Sequence, residues 1–266
     1  MLSIIQQPHP LLAPYIAQYW SWNLAAGTAI PDLYTGTGLE CLFNLGDSIE
    51  TVLPYAYQIG SGQGLILCPR KRHFSVKTKG KVKLLSIRFR SAGFYRLFGI
   101  PLSEFSDKLI DASHIIPNSV FNSLSCAKTQ ADLSAVLDKF LLQKLKSRPC
   151  HDRLTTLIDR IYYHNHLSFK ALISDCSLSE RSLQRHFKLH TGVSAKYFQR
   201  SARFQSCLRS LYRSTQLLKQ TEHSQLALAH GYFDQSHFIN EVKYFSGQSP
   251  KKIIQNKHDG ISYYSC

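Results

Sequence analysis

The feature of this sequence that most constrains its fold is an internal repeat at an offset of 55 residues. Leu183 recurs as Phe238, and Gly192 recurs as Gly247. Within each copy an apolar residue follows at i+4, a lysine at i+5 and the glycine at i+9. Glycine readily adopts the left-handed conformation that ends helices. Because a repeat at a period of tens of residues indicates a repeated structural unit, we expect two copies of one helical unit.

Each copy is preceded by a short apolar helix and a tight turn. Ser168 and Ser179 are positioned to cap the two helices of copy one, and Asp234 offers the cap of the second helix in copy two. A helix, a short turn and a second capped helix form a helix-turn-helix. Because the second helix of that motif enters the DNA major groove, the repeat predicts two recognition helices.

The exposed faces of the two predicted recognition helices carry side chains suited to DNA. Arginine pairs with guanine and glutamine with adenine, whereas many other polar contacts position the backbone. The candidate DNA-binding residues are Ser179, Arg181, Ser182, Gln184, Arg185, Lys188, Gln235, Ser236, Asn240 and Lys243. The first copy is the more cationic of the two, so we expect it to contribute more of the electrostatic affinity.

A long helix is predicted between the copies, over residues 197–218, with Phe204 and Leu208 in its apolar stripe. At ~1.5 Å per residue it spans roughly 30 Å, close to the distance of about 34 Å between successive major-groove turns. One chain is therefore able to present both recognition helices to one face of DNA. Four arginines of this helix fit a phosphate contact and a solvated surface equally well: Arg200, Arg203, Arg209 and Arg213.

The first part of the chain is predicted to be rich in β-structure. Strands are expected over residues 40–45, 55–59, 64–68 and 81–90, the last with alternating apolar and polar side chains. An apolar stripe after Pro10, from Leu12 to Trp20, predicts a helix, and a second helix is expected around Leu133–Leu141 with Thr129 as its cap.

No catalytic, metal or cofactor site is predicted. Within the first part only His9, His73 and His114 could serve as imidazole ligands, and they lie far apart. The seven cysteines are scattered without a Cys-x-x-Cys pair, which favours reduced thiols. The segment Gly60–Gly64 favours a turn over a phosphate loop. We therefore expect no enzyme, although a small-molecule-binding enzyme on the β-rich part, with secondary DNA binding, stays as the alternative function.

The formal net charge of +15 points to a polyanionic partner, with nucleic acid before an anionic membrane surface. The two parts share this excess almost equally, with net charges of +7 for residues 1–150 and +8 for residues 151–266. The basic stretch from Arg70 to Arg90 has no assigned role. The uncharged first 31 residues are interrupted by prolines and polar side chains, so we expect neither a membrane span nor a secretory signal, and a cytoplasmic location.

Two segments carry a resemblance to a known family. Ser177-Leu178-Ser179-Glu180-Arg181-Ser182-Leu183, followed by Thr191-Gly192, resembles the first helix-turn-helix of the AraC/XylS family of bacterial transcription regulators. Gly231-Tyr232-Phe233-Asp234-Gln235-Ser236-His237-Phe238, followed by Ser246-Gly247-Gln248-Ser249-Pro250, resembles the second. Asn240 departs from the arginine usual there. More weakly, the first part resembles a β-rich domain attached to some of these regulators.

The resemblance implies an α+β protein with a β-rich, cupin-like or related N-terminal domain, flanking helices, and an all-α C-terminal domain. The expected divisions are residues 1–148 for sensing or dimerisation, 149–256 for DNA binding, and 257–266 as a tail. The implied function is sequence-specific transcription regulation through double-stranded DNA. The partners it suggests are a small-molecule effector, RNA polymerase and a second copy of the chain, without a membrane.

Overall fold

A computed structural model describes residues 2–30, 32–53, 56–67, 73–106, 108–147, 153–176, 178–213 and 220–255. The β-strands lie in the first part of the chain: β1 Leu2–Gln6, β2 Ile16–Leu24, β3 Glu40–Asn44, β4 Ile49–Leu53, β5 Tyr57–Ile59, β6 Gln63–Leu67, β7 Ser75–Lys77, β8 Val82–Phe89 and β9 Leu109–Asp111. They form two antiparallel sheets, in the orders β1-β2-β8-β3-β6-β9 and β5-β4-β7.

The helices follow the strands along the chain: α1 Gly93–Phe98, α2 Asn118–Cys126, α3 Gln130–Ser147, α4 Arg153–Tyr163, α5 Phe169–Leu172, α6 Glu180–Thr191, α7 Ala195–Arg213, α8 Gln220–Ala229, α9 Gln235–Ser246 and α10 Pro250–Gln255. Short 3₁₀ segments occupy residues 10–12, 102–104 and 112–114. The predicted fold class, a β-rich first part and a helical second part with two helix-turn-helix units, is confirmed.

The helix expected after Pro10 is wrong. Only Pro10–Leu12 forms a turn of 3₁₀ helix, and the rest of the stripe belongs to β2. Both Trp20 and Trp22 are buried in this strand, which pairs with β1 on one side and β8 on the other. A strand covered on both faces loses its alternation of apolar and polar side chains, so periodicity alone does not separate it from a helix.

The strand expected at 81–90 is confirmed as β8, but it is not half-buried. Leu84 belongs to one cluster of buried residues and Leu85 to another, and Ser86 is also fully buried. Because successive side chains of a strand point to opposite faces, β8 contributes to two cores at once. The first sheet is therefore a layer between two apolar clusters.

The first of these clusters joins the two parts of the chain. It contains Trp20 and Phe74 from the β-rich part together with Phe204 and Phe245 from the helical part. The rings of Phe204 and Phe245 stack with centroids 5.1 Å apart. The second cluster lies between the first sheet and helices α1 to α3. A third, smaller cluster holds α4, α5, α6 and the start of α7, with Ala92 from the first part.

Candidate nucleic-acid interface

Helix α6 is the second helix of the first helix-turn-helix unit. Its cap is Ser179, whose Oγ accepts a hydrogen bond from the backbone N–H of Ser182 at 3.3 Å. Leu183 and Phe187 are buried, so they fix which face of the helix packs inward. Gly192 ends the helix with φ of 79°, as its place in the repeat predicts. The first four residues of α6 therefore project from a capped and anchored end.

The predicted DNA-binding residues of the first copy lie on the outer side of this helix. Arg181, Arg185 and Lys188 are exposed, while Ser182 and Gln184 are half-buried. The cap Ser179 is exposed as well. The structure thus brings three cations to one exposed helix within two turns.

Helix α9 repeats this construction with different surface chemistry. Asp234 caps it by accepting a hydrogen bond from the backbone N–H of His237 at 2.7 Å. Phe238 and Val242 are buried, and Gly247 ends the helix with φ of 72°. Because capping and burial fall at the same steps as in α6, the internal repeat is a repeat of structure.

The surface of α9 is polar and largely neutral. Ser236, Asn240 and Lys243 are exposed. Gln235 is half-buried, and its Oε1 accepts a hydrogen bond from Ser224 Oγ at 3.2 Å. His237 is exposed on the first turn and is absent from the residues predicted above. The same offset that aligns the copies pairs it with Ser182, so the repeat carried the signal for it.

Helix α7 connects the two units, and its described arginines bind protein groups. Arg200 makes a bidentate contact with Glu241 of α9, with Nε–Oε1 and Nη2–Oε2 distances of 3.0 and 2.9 Å. Arg203 Nη2 donates to the carbonyl of Asn165 at 3.1 Å, and Arg209 Nη1 donates to the hydroxyl of Tyr162 at 3.4 Å. These side chains hold the two units together. The residues 214–218 of the predicted helix and the Arg213 side chain lie outside the description.

The Arg200–Glu241 pair ties the connecting helix to the second recognition helix. Glu241 is buried, while the side chain of Arg200 is 42% exposed. The hydrogen bond to Glu241 raises the pKa of Arg200 above its usual value. Bidentate pairs of this kind fix orientation as well as adding energy, so α9 is held in a defined direction relative to α7.

The β-rich part contacts the far ends of both recognition helices. At the end of α6, Ser106 Oγ donates to the carbonyl of Gly192, and the rings of Tyr95 and His190 stack with centroids 4.1 Å apart. At the end of α9, a Cβ placed on Gly247 would lie 3.0 Å from Cε1 of His73. The C-terminal ends of both helices are therefore covered by the first part of the chain, whereas their N-terminal ends are exposed.

The structure gives the other sequence predictions little support as sites. Among the described residues, no group of three or more His, Cys, Asp or Glu side chains is placed to hold a metal ion. In the basic stretch, Lys77 pairs with Glu50 at 3.2 Å on the surface, while Arg70, Lys71 and Arg72 lie outside the described residues. No helix within the described ranges is long and apolar enough to cross a membrane.

Comparisons with known proteins divide the chain in the same way. Residues 172–256 match the family described as a helix-turn-helix domain, and residues 5–111 match a domain of unknown function (DUF6597). No curated protein matches the chain.

The fold is similar to solved structures of ToxT from Vibrio cholerae. A P21 crystal form aligns with a TM-score of 0.55 at 11% identity, covering 89% of this chain and 98% of that one. The wild-type protein of strain SCE256, described as bound to an unsaturated fatty acid, aligns with a TM-score of 0.51 at 13% identity, covering 91% and 96%. At such low identity the similarity concerns the fold.

Proposed function

The C-terminal part of this chain is an AraC-type helix-turn-helix domain and makes the protein a DNA-binding transcription regulator; on this premise we propose that α6 and α9 enter successive major-groove turns of one operator. The observation that carries the proposal is the repeated construction of the two helices. Each is capped at its N-terminal end by Ser179 or Asp234, and that end is exposed. Recognition helices contact base edges with their N-terminal residues.

The spacing of the two helices suits this arrangement. Helix α7 has 19 residues, which at ~1.5 Å per residue gives roughly 28 Å. Successive major-groove turns are about 34 Å apart. The pair between Arg200 and Glu241 and the apolar packing of α7 against α9 keep the two units from moving independently.

The side chains divide between base contacts and backbone contacts. Arg181 and Arg185 are suited to guanine, and Gln184 to adenine. In the second copy, Gln235, Ser236 and Asn240 are suited to hydrogen bonds with base edges. The remaining four candidates, Ser179, Ser182, Lys188 and Lys243, are suited to phosphates. The affinity of the first copy should therefore fall more steeply with salt than that of the second.

We further propose that the first part, residues 1–148, senses a small molecule or mediates dimerisation, and that residues 149–256 bind DNA. The fatty acid described for ToxT supports a small-molecule effector of some kind. The contacts of Ser106 and His73 with the two recognition units offer a route from the first part to the DNA surface. RNA polymerase and a second copy of the chain are the protein partners of this proposal, and the cytoplasm is its location.

The test is to select bound fragments from genomic DNA and to map the protected bases. We expect protection in two successive major-groove turns, and loss of preference for selected over random DNA when Gln184→Ala and Arg185→Ala are combined. The matched control combines Gln143→Ala with Lys146→Ala, which removes an amide and a cation from exposed positions of α3. Retained preference in the first double variant contradicts the assignment of these residues to base contacts.

A further inference from the structure

Phe233, in the turn before the second recognition helix, is unusually exposed. Its side chain is 85% accessible to solvent, more than that of any other large hydrophobic residue in the described part of the chain. It directly precedes the cap Asp234. An aromatic side chain that gains nothing from the protein interior therefore stands at the end of α9 that faces outward.

The residue at this position of a helix ordinarily packs against the fourth residue of the first turn and fixes the entry angle of the chain. Here that fourth residue is Phe238, which is fully buried, and the ring near it belongs to Tyr232, with centroids 5.5 Å apart. Phe233 belongs to none of the three clusters of buried residues. Its backbone N–H donates to Nδ1 of His237 at 3.3 Å, which orders the turn without using the ring.

The first copy repeats this feature. Leu178 stands at the offset of 55 residues from Phe233, directly before the cap Ser179, and is 41% exposed. Large apolar side chains therefore stand exposed at equivalent positions of both units. An isolated exposed hydrophobic residue is ordinary on a protein surface, but its recurrence beside both recognition helices points to a common role.

We propose that Phe233, and to a smaller extent Leu178, contacts thymine through its C5-methyl group in the major groove. This inference rests on the proposed function and adds a class of base contact to it. The thymine methyl is the apolar group that the major groove presents, and apolar side chains recognise it by contact. The residues next to Phe233 along α9, Gln235 and Ser236, carry hydrogen-bonding groups for the neighbouring base edges. Specificity for thymine beside the contacts of α9 is the consequence.

The experiment replaces thymine by uracil, which removes only the methyl group, at single positions of the selected operator. For the wild-type protein we expect about a fourfold loss of affinity at the contacted position, the equivalent of about 0.8 kcal/mol for one buried carbon group. Phe233→Ser should lose affinity for the thymine operator and become insensitive to uracil at that position. Phe233→Leu, which restores the side chain of the first copy, should regain the sensitivity.

Leu11→Ser is the matched control, because Leu11 is 62% exposed and lies in the first part of the chain. We expect it to leave both affinity and sensitivity to uracil unchanged. Leu178→Ser should affect thymines of the other half-site. If Phe233→Ser binds the thymine operator as tightly as the wild type, or stays sensitive to uracil at every position, the proposal is overturned. Failure of the proposed function is a separate result, since then the wild-type protein prefers no operator at all.

Discussion

The two recognition helices share one scaffold and differ in surface. Both begin at a capping side chain, bury two apolar residues one turn apart, and end at a left-handed glycine. Around this scaffold α6 exposes Arg181, Arg185 and Lys188, whereas α9 exposes Lys243 as its one cation among the described residues. The comparison teaches that capping and burial define the unit, while the exposed positions are free to divide affinity and readout between the copies.

The helices also differ in what lies beneath them. Phe187 of α6 packs in the small third cluster, with its ring 5.3 Å from that of Phe198. Phe238 of α9 packs in the large first cluster, which includes Trp20 and Trp22 of the β-rich part. The second unit is therefore built into the core of the first part of the chain, and the first unit touches that part mainly at the end of α6.

The largest effect should come from breaking this difference in packing. Phe187→Ala and Phe238→Ala should each lower the free energy of unfolding by about 3–5 kcal/mol, because each leaves a cavity in a filled core. Both tryptophans lie in the first cluster. Urea unfolding followed by tryptophan fluorescence should therefore shift strongly for Phe238→Ala and weakly for Phe187→Ala, whereas circular dichroism should shift for both. Equal fluorescence shifts would show that the clusters unfold as one unit.

The difference in charge is tested at equivalent positions of the two copies. Arg185→Ala should lower operator affinity by about 1–3 kcal/mol and reduce the slope of log affinity against log salt concentration, because a cation near the phosphates is lost. Asn240→Ala should lower affinity for the operator with the slope unchanged. Fluorescence anisotropy at several salt concentrations measures both. A reduced slope for Asn240→Ala contradicts the division of affinity and readout.

The ion pair between α7 and α9 has no equivalent ion pair in the described contacts of α6. Glu241→Gln should lower the free energy of unfolding by about 1–2 kcal/mol, less than for a fully buried pair, since the Arg200 side chain is 42% exposed. Glu180→Gln is the control, because Glu180 is exposed in the first turn of α6. Urea unfolding compares the two variants. Equal, small losses would mean that the pair does not hold α9 in place.

The smallest effect concerns acid. His230 stands where the first copy has Asp175, and burial, followed by the charges of Arg209 and His166, lowers the pKa of His230. A histidine kept neutral in the folded state stabilises it above the ordinary pKa of 6.5, and this contribution is lost as pH falls below 6.5 toward the lowered pKa. His230→Gln should reduce the loss of stability between pH 7.5 and about pH 5.5, as measured by urea midpoints. Unchanged acid sensitivity would assign the effect to other groups.

The sequence predicted those parts of the fold that depend on neighbours along the chain. The caps at Thr129, Ser168, Ser179 and Asp234 are confirmed, because each bonds a backbone N–H three residues later. The strands β3, β5, β6 and β8 were expected close to where they lie. By contrast β2 was predicted as a helix, and β1, β4, β7 and β9 were not predicted, since short strands are stabilised by partners distant in the chain.

The candidate site shows the same limit. The repeat identified the residues that stand on the outer faces of α6 and α9, because the spacing of buried residues fixes the face of a helix. It did not reveal that Arg200 binds Glu241, or that Gln235 accepts a hydrogen bond from Ser224. Both partners come from other helices, and their approach depends on packing.

The sequence by itself determined two capped helices at an offset of 55 residues and the side chains they expose, because helix periodicity and capping act over three to nine residues. Only the tertiary structure decided that Phe238 shares a core with Trp20, and that Ser106 and His73 lie against the ends of the two units. Those contacts join residues far apart in the chain. They form because burying apolar area against any suitable surface is favourable, and the local pattern does not specify which surface that is.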